Sequence, residues 1–147
     1  MKILQFIALV LTAIALMPAG AHFFALPNKI HLGQIDYFIV QNIYRGWALF
    51  GIVLFGNLIA SATLAFILRG TRGPFLFVLI NVLCQIATLA IFFAFTFPAN
   101  QATDNWTAIP PDWEYLRWQW EMSHAINAVI AFVGFCSLTI SLLLTRE

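Results

Sequence analysis

Apolar side chains are concentrated in four stretches of the chain, separated by short segments that contain prolines, glycines and charged residues. Each stretch is long enough to cross the hydrocarbon core of a bilayer as a helix, which takes about 20 residues. Glycines and prolines in the separating segments mark the ends of the helices. The pattern predicts transmembrane helices over residues 3–26, 44–68, 75–97 and 120–144, with longer loops over 27–43 and 98–119.

Connections this short make consecutive helices antiparallel neighbours, and in such a bundle the first and fourth helices also touch. The chain is therefore predicted to be a single all-α domain over residues 1–147, an integral membrane up-down four-helix bundle. Composition agrees with this prediction, because 62% of the residues are hydrophobic and only 9% are charged. A soluble domain has about 25% charged residues.

The few charges indicate the partners and the orientation. A formal net charge of +1 provides no basic surface for nucleic acid, so the lipid bilayer is the expected partner. The basic residues divide between the two sides of the membrane, with Lys2, Arg69, Arg72 and Arg146 on one side and Lys29, Arg45 and Arg117 on the other. Two arginines in the short hairpin between the second and third helices favour a cytoplasmic location for the first group. Both termini are then cytoplasmic, in what we expect to be a bacterial cytoplasmic membrane.

The first apolar stretch also has the features of a secretory signal. Lys2 precedes an apolar segment, and the small residues Ala19 and Ala21 are typical of a cleavage site before His22. The apolar character continues beyond this point through "HFFAL", which favours an uncleaved first helix.

Ionisable residues lie near the ends of two predicted helices. Arg117, Glu121 and His124 follow one another at intervals of four and three, so they share one helix face. His22 lies four residues before the predicted end of the first helix, and His124 lies four residues after the predicted start of the fourth. The two histidines are therefore expected at the same depth on neighbouring helices. An ionisable residue inside a membrane indicates a functional site; the alternative is an Arg117–Glu121 ion pair at the water boundary.

These residues fit three kinds of chemistry, namely a single metal ion, haem b and catalysis without a cofactor, and they disfavour a fourth, a di-iron site. The spacing Glu-x-x-His is that of di-iron bundles, but the other acids lie in loops or at a terminus, which disfavours a dinuclear site. A single metal ion bound by His22, His124 and Glu121 fits, as does haem b between the two histidines. Catalysis without a cofactor also fits: His124, oriented by Glu121, accepts a proton, and Arg117 stabilises the resulting anion.

Polar and aromatic residues at the same membrane level are predicted to line a substrate pocket that opens outward. They are Asn42, Arg45, Asn100, Trp113 and Trp120. For the tryptophans the alternative is an aromatic belt at the headgroup level. Near mid-membrane, Asn57 and Gln85 predict an amide hydrogen bond between the second and third helices.

The last third of the chain resembles a known family in the stretch "FPANQATDNWTAIPPDWEYLRWQWEMSHAINAVIAF". Pro98 and Asn100 match a Pro-x-Asn element. A second element, Pro-x-x-Trp-x-x-Leu-Arg-x-x-Trp-Glu-x-x-His, is matched by Pro110, Trp113, Leu116, Arg117, Trp120, Glu121 and His124. These motifs are similar to those of the anthrone oxygenase-like family of small four-helix integral membrane proteins, many of which have no assigned function. Members often carry an arginine soon after the histidine, where this chain has Asn127.

The resemblance implies an O2-dependent oxidation of an anthrone to an anthraquinone. The leading hypothesis is a membrane oxygenase-like oxidoreductase that binds a hydrophobic aromatic or quinone-like molecule between its helices and requires no cofactor. Two alternatives stay open. One is a haem- or metal-binding electron-transfer protein that uses His22 and His124, and the other is a non-enzymatic membrane subunit or scaffold. Assembly into a homo-oligomer or a larger membrane complex is also left open.

Overall fold

The structure, a computed structural model, describes residues 1–145 and contains no strand within that range. Arg146, which the orientation prediction uses, lies outside the described residues. Single 3-10 turns, Asn42–Tyr44 and Trp47–Leu49, precede the second long helix. The α-helices are α1 (Lys2–Lys29), α2 (Gln34–Gln41), α3 (Phe50–Leu68), α4 (Arg72–Ile91), α5 (Phe97–Ala102) and α6 (Trp113–Leu144).

The four long helices pack as a closed ring in which α1 contacts α3, α3 contacts α4, α4 contacts α6, and α6 returns to α1. Their apolar stretches are long enough to cross a membrane. Large apolar side chains such as Phe6, Phe24 and Leu143 are exposed on the outside, where lipid replaces water. The predicted all-α four-helix bundle is confirmed, and its surface is that of a helical integral membrane protein.

Two helices extend beyond the limits predicted from hydropathy. α1 continues to Lys29 with Pro27 inside its last turns, and α6 begins at Trp113, seven residues before the predicted start at position 120. A second deviation is that the predicted loop 27–43 contains α2. Hydropathy marks where side chains become apolar, whereas a helix can continue with polar residues that face protein. Arg117 is therefore part of α6.

The helical path of α4 also continues past its predicted end at residue 97. A π-helical segment, Phe92–Thr96, connects α4 directly to α5 and changes the register of the side chains that follow. Pro98 is the second residue of α5 and has no backbone N–H, so one hydrogen bond of the helical path is missing beside the π-helical segment. π-helical segments are frequent at functional sites, and this one places Asn100 beside α6, as described below.

Polar side chains join three helices near the middle of the bundle. Ser61 accepts hydrogen bonds from the amides of Asn81 and Gln85, each at 3.0 Å. Thr12 donates to Asn57 at 2.8 Å, and Ser61 lies 3.4 Å from the same amide oxygen. Gln85 thus reaches Asn57 through Ser61 rather than by the direct amide bond that was predicted. Such bonds fix the pairing of helices in lipid.

Gly134 permits the close approach of α6 to α4. A Cβ atom at this position would lie 3.1 Å from the Cβ of Cys84 and 3.2 Å from Oδ1 of Asn81. The Cys84 Cβ is attached to the α4 backbone and moves only if the helix moves. We therefore expect Gly134→Ala to lower the free energy of unfolding by about 1–3 kcal/mol, the usual cost of overpacking. Denaturant titration in detergent micelles measures this change.

Gly20 provides the matched control, because a Cβ added there meets no atom within 4 Å. Gly20→Ala is expected to be neutral or slightly stabilising, since alanine favours a helix over glycine by about 1 kcal/mol. Equal stabilities of Gly134→Ala and Gly20→Ala would show that α4 and α6 are not in close contact here.

Candidate functional site

Ionisable residues from α1 and α6 converge at one end of the bundle, the end at which α1 ends and α6 begins, which we call the site end. His22 and Lys29 are seven residues apart on α1 and therefore lie on the same face. They meet Glu121 and His124 of α6. His22, Lys29 and Glu121 are only 5%, 4% and 1% exposed, so charges at these positions depend on one another rather than on water.

The two histidines predicted at equal depth are in direct contact. The His22 and His124 rings stack with their centroids 4.0 Å apart and an interplanar angle of 20°. Trp120 presents its ring to both, with centroids 5.0 Å from His22 and 4.2 Å from His124. Tyr44 packs on His22 at 4.5 Å. The imidazole pair is therefore enclosed by aromatic side chains.

Glu121 is the acceptor at the centre of a buried polar network. Its Oε1 atom lies 2.7 Å from Nζ of Lys29 and accepts a hydrogen bond from the Tyr37 hydroxyl at 2.9 Å. The Gln41 amide donates to the same Tyr37 hydroxyl. Lys29 also donates to the Tyr44 hydroxyl at 3.1 Å. The carboxylate and the ammonium thus offset each other's burial.

Both tyrosines of this network keep their protons at neutral pH. Burial, and then the negative charge of Glu121, raise the pKa of Tyr44 to about 12. The same two causes raise the pKa of Tyr37 well above its usual value. Tyr37 therefore acts as a hydrogen-bond donor to the carboxylate.

Lys29 is a member of the buried cluster that the sequence did not predict. Its Nζ atom lies 4.6 Å from the Trp120 ring centroid and 4.7 Å from that of Tyr44, both within cation–π range. Pro27 had been interpreted as the end of the first helix, which placed Lys29 in a loop. The spacing of seven from His22 is the signal that would have found it, since it equals two helical turns.

Arg117 lies away from the position predicted for it. The proposed Arg117–Glu121 ion pair is replaced by Lys29–Glu121, because α1 extends far enough to bring its own cation to the carboxylate. Arg117 instead donates to the backbone carbonyl of Leu32 at 2.7 Å and packs its guanidinium over Trp113 at 4.7 Å. It therefore ties the segment after α1 to α6.

Asn100 fixes two indole rings. Its Oδ1 atom accepts hydrogen bonds from Nε1 of Trp106 at 3.1 Å and from Nε1 of Trp120 at 2.9 Å. Both tryptophans are buried and pack on each other with centroids 5.8 Å apart. These two are internal residues rather than members of an aromatic belt, whereas Trp118 is exposed as a belt residue would be.

The other predicted substrate-binding residues lie farther from the His22–His124 pair. Trp113 is half-buried and packs on Tyr37 with centroids 6.4 Å apart. Asn42 and Arg45 are exposed, and the Arg45 guanidinium donates to the Asn42 side-chain oxygen at 3.1 Å. The structure therefore brings Trp120 and Asn100 to the histidine pair and leaves Asn42 and Arg45 at the surface.

Neither cofactor considered from the sequence fits this arrangement. Within residues 1–145, no group of three or more His, Cys, Asp or Glu side chains is placed to hold a metal ion. The ammonium of Lys29 occupies the position beside Glu121 that a cation would need. Haem ligands stand on opposite faces of the macrocycle, whereas the His22 and His124 rings are in contact and leave no space for one between them.

Several buried polar atoms at the site end have no hydrogen-bond partner among the described residues. They include Oε2 of Glu121, Nδ1 of His22 and Oε1 of Gln41. Leaving a buried polar group unpaired costs about 1–3 kcal/mol, and more for a charged one. In native structures such atoms usually bind an ordered water, an ion or a ligand. Oε2 of Glu121 and Nδ1 of His22 are therefore positions at which a water molecule or a ligand hydroxyl can bind.

Comparisons of the chain with protein-family models, with curated proteins and with solved structures gave no match. The geometry of the site end and the motif resemblance are therefore the basis for assigning a function.

Proposed function

We propose that the protein is a membrane oxygenase-like enzyme that binds a hydrophobic aromatic or quinone-like molecule at the site end and oxidises an anthrone-type carbon with O2. The observation that carries this proposal is the pair of buried, unpaired atoms, Oε2 of Glu121 and Nδ1 of His22, beside the stacked imidazoles. A phenol or enol hydroxyl donates to either atom. The surrounding aromatic rings suit a flat apolar molecule.

The contrast between the two ends of the bundle supports a functional site rather than simple packing. Toward the opposite end, the core consists of aliphatic side chains such as Leu64, Val78 and Leu138. Buried ion pairs contribute little net stability, and apolar replacements are often equally stable or more stable. The Lys29–Glu121 pair is therefore better explained by chemistry than by stability.

The proposed reaction converts a ring CH2 group into a carbonyl. A histidine nitrogen accepts one proton from the CH2 group, and the resulting carbanion is delocalised into the aromatic rings as an enolate. O2 accepts the electron pair as the C–O bond forms, and return of the proton gives a carbon-bound hydroperoxide. Loss of the second C–H proton with cleavage of the O–O bond yields the carbonyl and one water molecule. The positive charge of Lys29 offsets the charge of the enolate.

In this proposal the site end faces the exterior and both termini are cytoplasmic, in a bacterial cytoplasmic membrane. Lys2, Arg69 and Arg72 lie at the opposite end of the bundle, consistent with the positive-inside rule. A lipophilic substrate then reaches the site from the outer leaflet.

Oxygen uptake by the purified protein tests the proposal. Protein in lipid nanodiscs is mixed with an anthrone, and O2 consumption and quinone absorbance are followed together. We expect one O2 consumed per quinone formed, at a rate about a hundredfold or more above that in empty nanodiscs, the lower end of the range for general base catalysis. A rate that matches the empty nanodiscs would contradict the proposed reaction.

A further inference from the structure

A groove of about 360 Å³ opens at the site end between α2 and the loop that follows α5. Ile35 and Ile39 form the wall on α2, Thr107 and Ile109 form the wall on the loop, and Phe38 and Trp106 lie between them. The volume falls within the range of about 300–1,000 Å³ that is typical of small-molecule sites. The groove is open along one side, so it covers one face of a molecule of a few fused rings.

The position of α2 indicates where the occupant comes from. Ile35 and Ile39 are 71% and 61% exposed, and their spacing of four places them on one face of α2. Ile43, in the turn that follows, is 63% exposed. The opposite face of α2 is buried. α2 starts five residues after the end of a membrane-spanning helix, so it lies at the membrane boundary. An amphipathic helix at this position turns its apolar face into the lipid interface. Ile35 and Ile39 belong to this face and also line the groove, so the groove adjoins the lipid interface.

The loop wall is held in an unusual backbone conformation. Asp104, Asn105 and Trp106 have φ angles of 46°, 53° and 66°, all in the left-handed region. Asp and Asn tolerate this region, whereas a tryptophan there costs about 1–2 kcal/mol. Bonds from Trp106 to Thr103 and Asn100, each at 3.1 Å, offset the cost. Such strain is concentrated at functional sites, and here it fixes the indole in the groove.

The Tyr37 ring lies between the groove and the buried Glu121 carboxylate. The Phe38 and Trp106 rings pack with centroids 5.6 Å apart, and the Trp106 ring lies 5.2 Å from that of Tyr37. The Tyr37 hydroxyl donates to Glu121. Asn42 and Thr107 are the polar residues of the groove, and their side-chain oxygen atoms can each accept a hydrogen bond from a hydroxyl group at the edge of an aromatic molecule.

We infer that this groove is the binding site at which a flat, lipophilic aromatic molecule from the outer leaflet docks against Phe38 and Trp106, one ring away from the Tyr37–Glu121 hydrogen bond. The inference rests on the proposed function for its ligand class. It adds the location of the ligand, between α2 and the loop after α5 rather than between the long helices.

Equilibrium dialysis with a coloured dihydroxyanthraquinone, which is inert to O2, tests the location. Protein in nanodiscs is compared with empty nanodiscs. Ile39→Trp fills the groove from an exposed position, and Ile43→Trp adds the same ring outside the groove, in the 3-10 turn that follows α2. We expect Ile39→Trp to weaken binding about tenfold or more, a change of about 1.4 kcal/mol, and Ile43→Trp to bind as the wild type does. Thr107→Trp on the opposite wall should reproduce the loss.

The outcomes separate this inference from the proposed function. Wild-type affinity in both Ile39→Trp and Thr107→Trp would overturn the groove assignment, and the reaction would stand if the wild type still oxidises an anthrone. Binding that the groove variants weaken, in a protein without anthrone oxidation, would support the groove and overturn the reaction. Wild-type nanodiscs that bind no more dye than empty ones would overturn the groove site.

Discussion

Replacing Glu121 with glutamine is expected to lower the free energy of unfolding by about 3–5 kcal/mol, although the side chain keeps nearly the same shape. The loss arises because the Lys29 ammonium, 2.7 Å from the carboxylate and only 4% exposed, stays buried but loses its counterion. A glutamine oxygen still accepts from Tyr37, so the change isolates the charge. Unfolding by denaturant in detergent micelles, followed by circular dichroism, measures the difference.

A double variant separates the stability effect from the chemistry. Lys29→Met/Glu121→Gln removes both charges. We expect it to be more stable than either single variant, since each single variant leaves one buried charge without its partner and the double variant leaves none. The coupling energy follows from the double-mutant cycle. The double variant should regain stability without regaining anthrone oxidation. If the two substitutions are simply additive, Lys29 and Glu121 do not form a buried ion pair.

The existence and packing of the four long helices could be predicted because lipid leaves few alternatives. A backbone in hydrocarbon must satisfy its own hydrogen bonds, so a long apolar run is a helix. The depth of a residue then follows from its position in the helix, at 1.5 Å per residue. This is why the His22–His124 contact could be expected from the sequence, and the rings do meet.

The partner of Glu121 could not be predicted in the same way. Hydropathy identifies helix residues that face lipid. It does not predict where a helix ends when its last residues are polar and pack against protein. Pro27 lies inside α1, so the helix reaches Lys29 beyond the last apolar residues. A difference of three residues in one helix end therefore left Lys29 out of the possible partners of the carboxylate, among which the sequence offered Arg117.

The position of Trp106 could not be predicted because no periodicity determines it. Its place depends on a left-handed turn, on the hydroxyl of Thr103 and on the side chain of Asn100. The local signal was the Asp104–Asn105 pair, since these residue types tolerate positive φ. That signal indicates a turn, but it does not show which ring the turn will bury.

Replacing His124 with phenylalanine is expected to lower kcat for anthrone oxidation by about 10²–10⁴-fold, the range for loss of a general base. A phenyl ring keeps the stacking on His22 and the contact with Trp120 but has no nitrogen to accept a proton. A loss confined to kcat, with KM little changed, distinguishes a proton acceptor from a residue that shapes the pocket. Oxygen uptake at several anthrone concentrations provides both constants.

Two further histidine variants make this measurement decisive. His31 is exposed, so His31→Phe should retain wild-type turnover. His22→Phe removes the unpaired Nδ1 atom from the other member of the stack. If the two imidazoles act as one proton-accepting unit, His22→Phe and the double variant with His124→Phe should lose about as much as His124→Phe alone, because residues that act together are not additive. Wild-type turnover in His124→Phe would instead exclude this ring as the base.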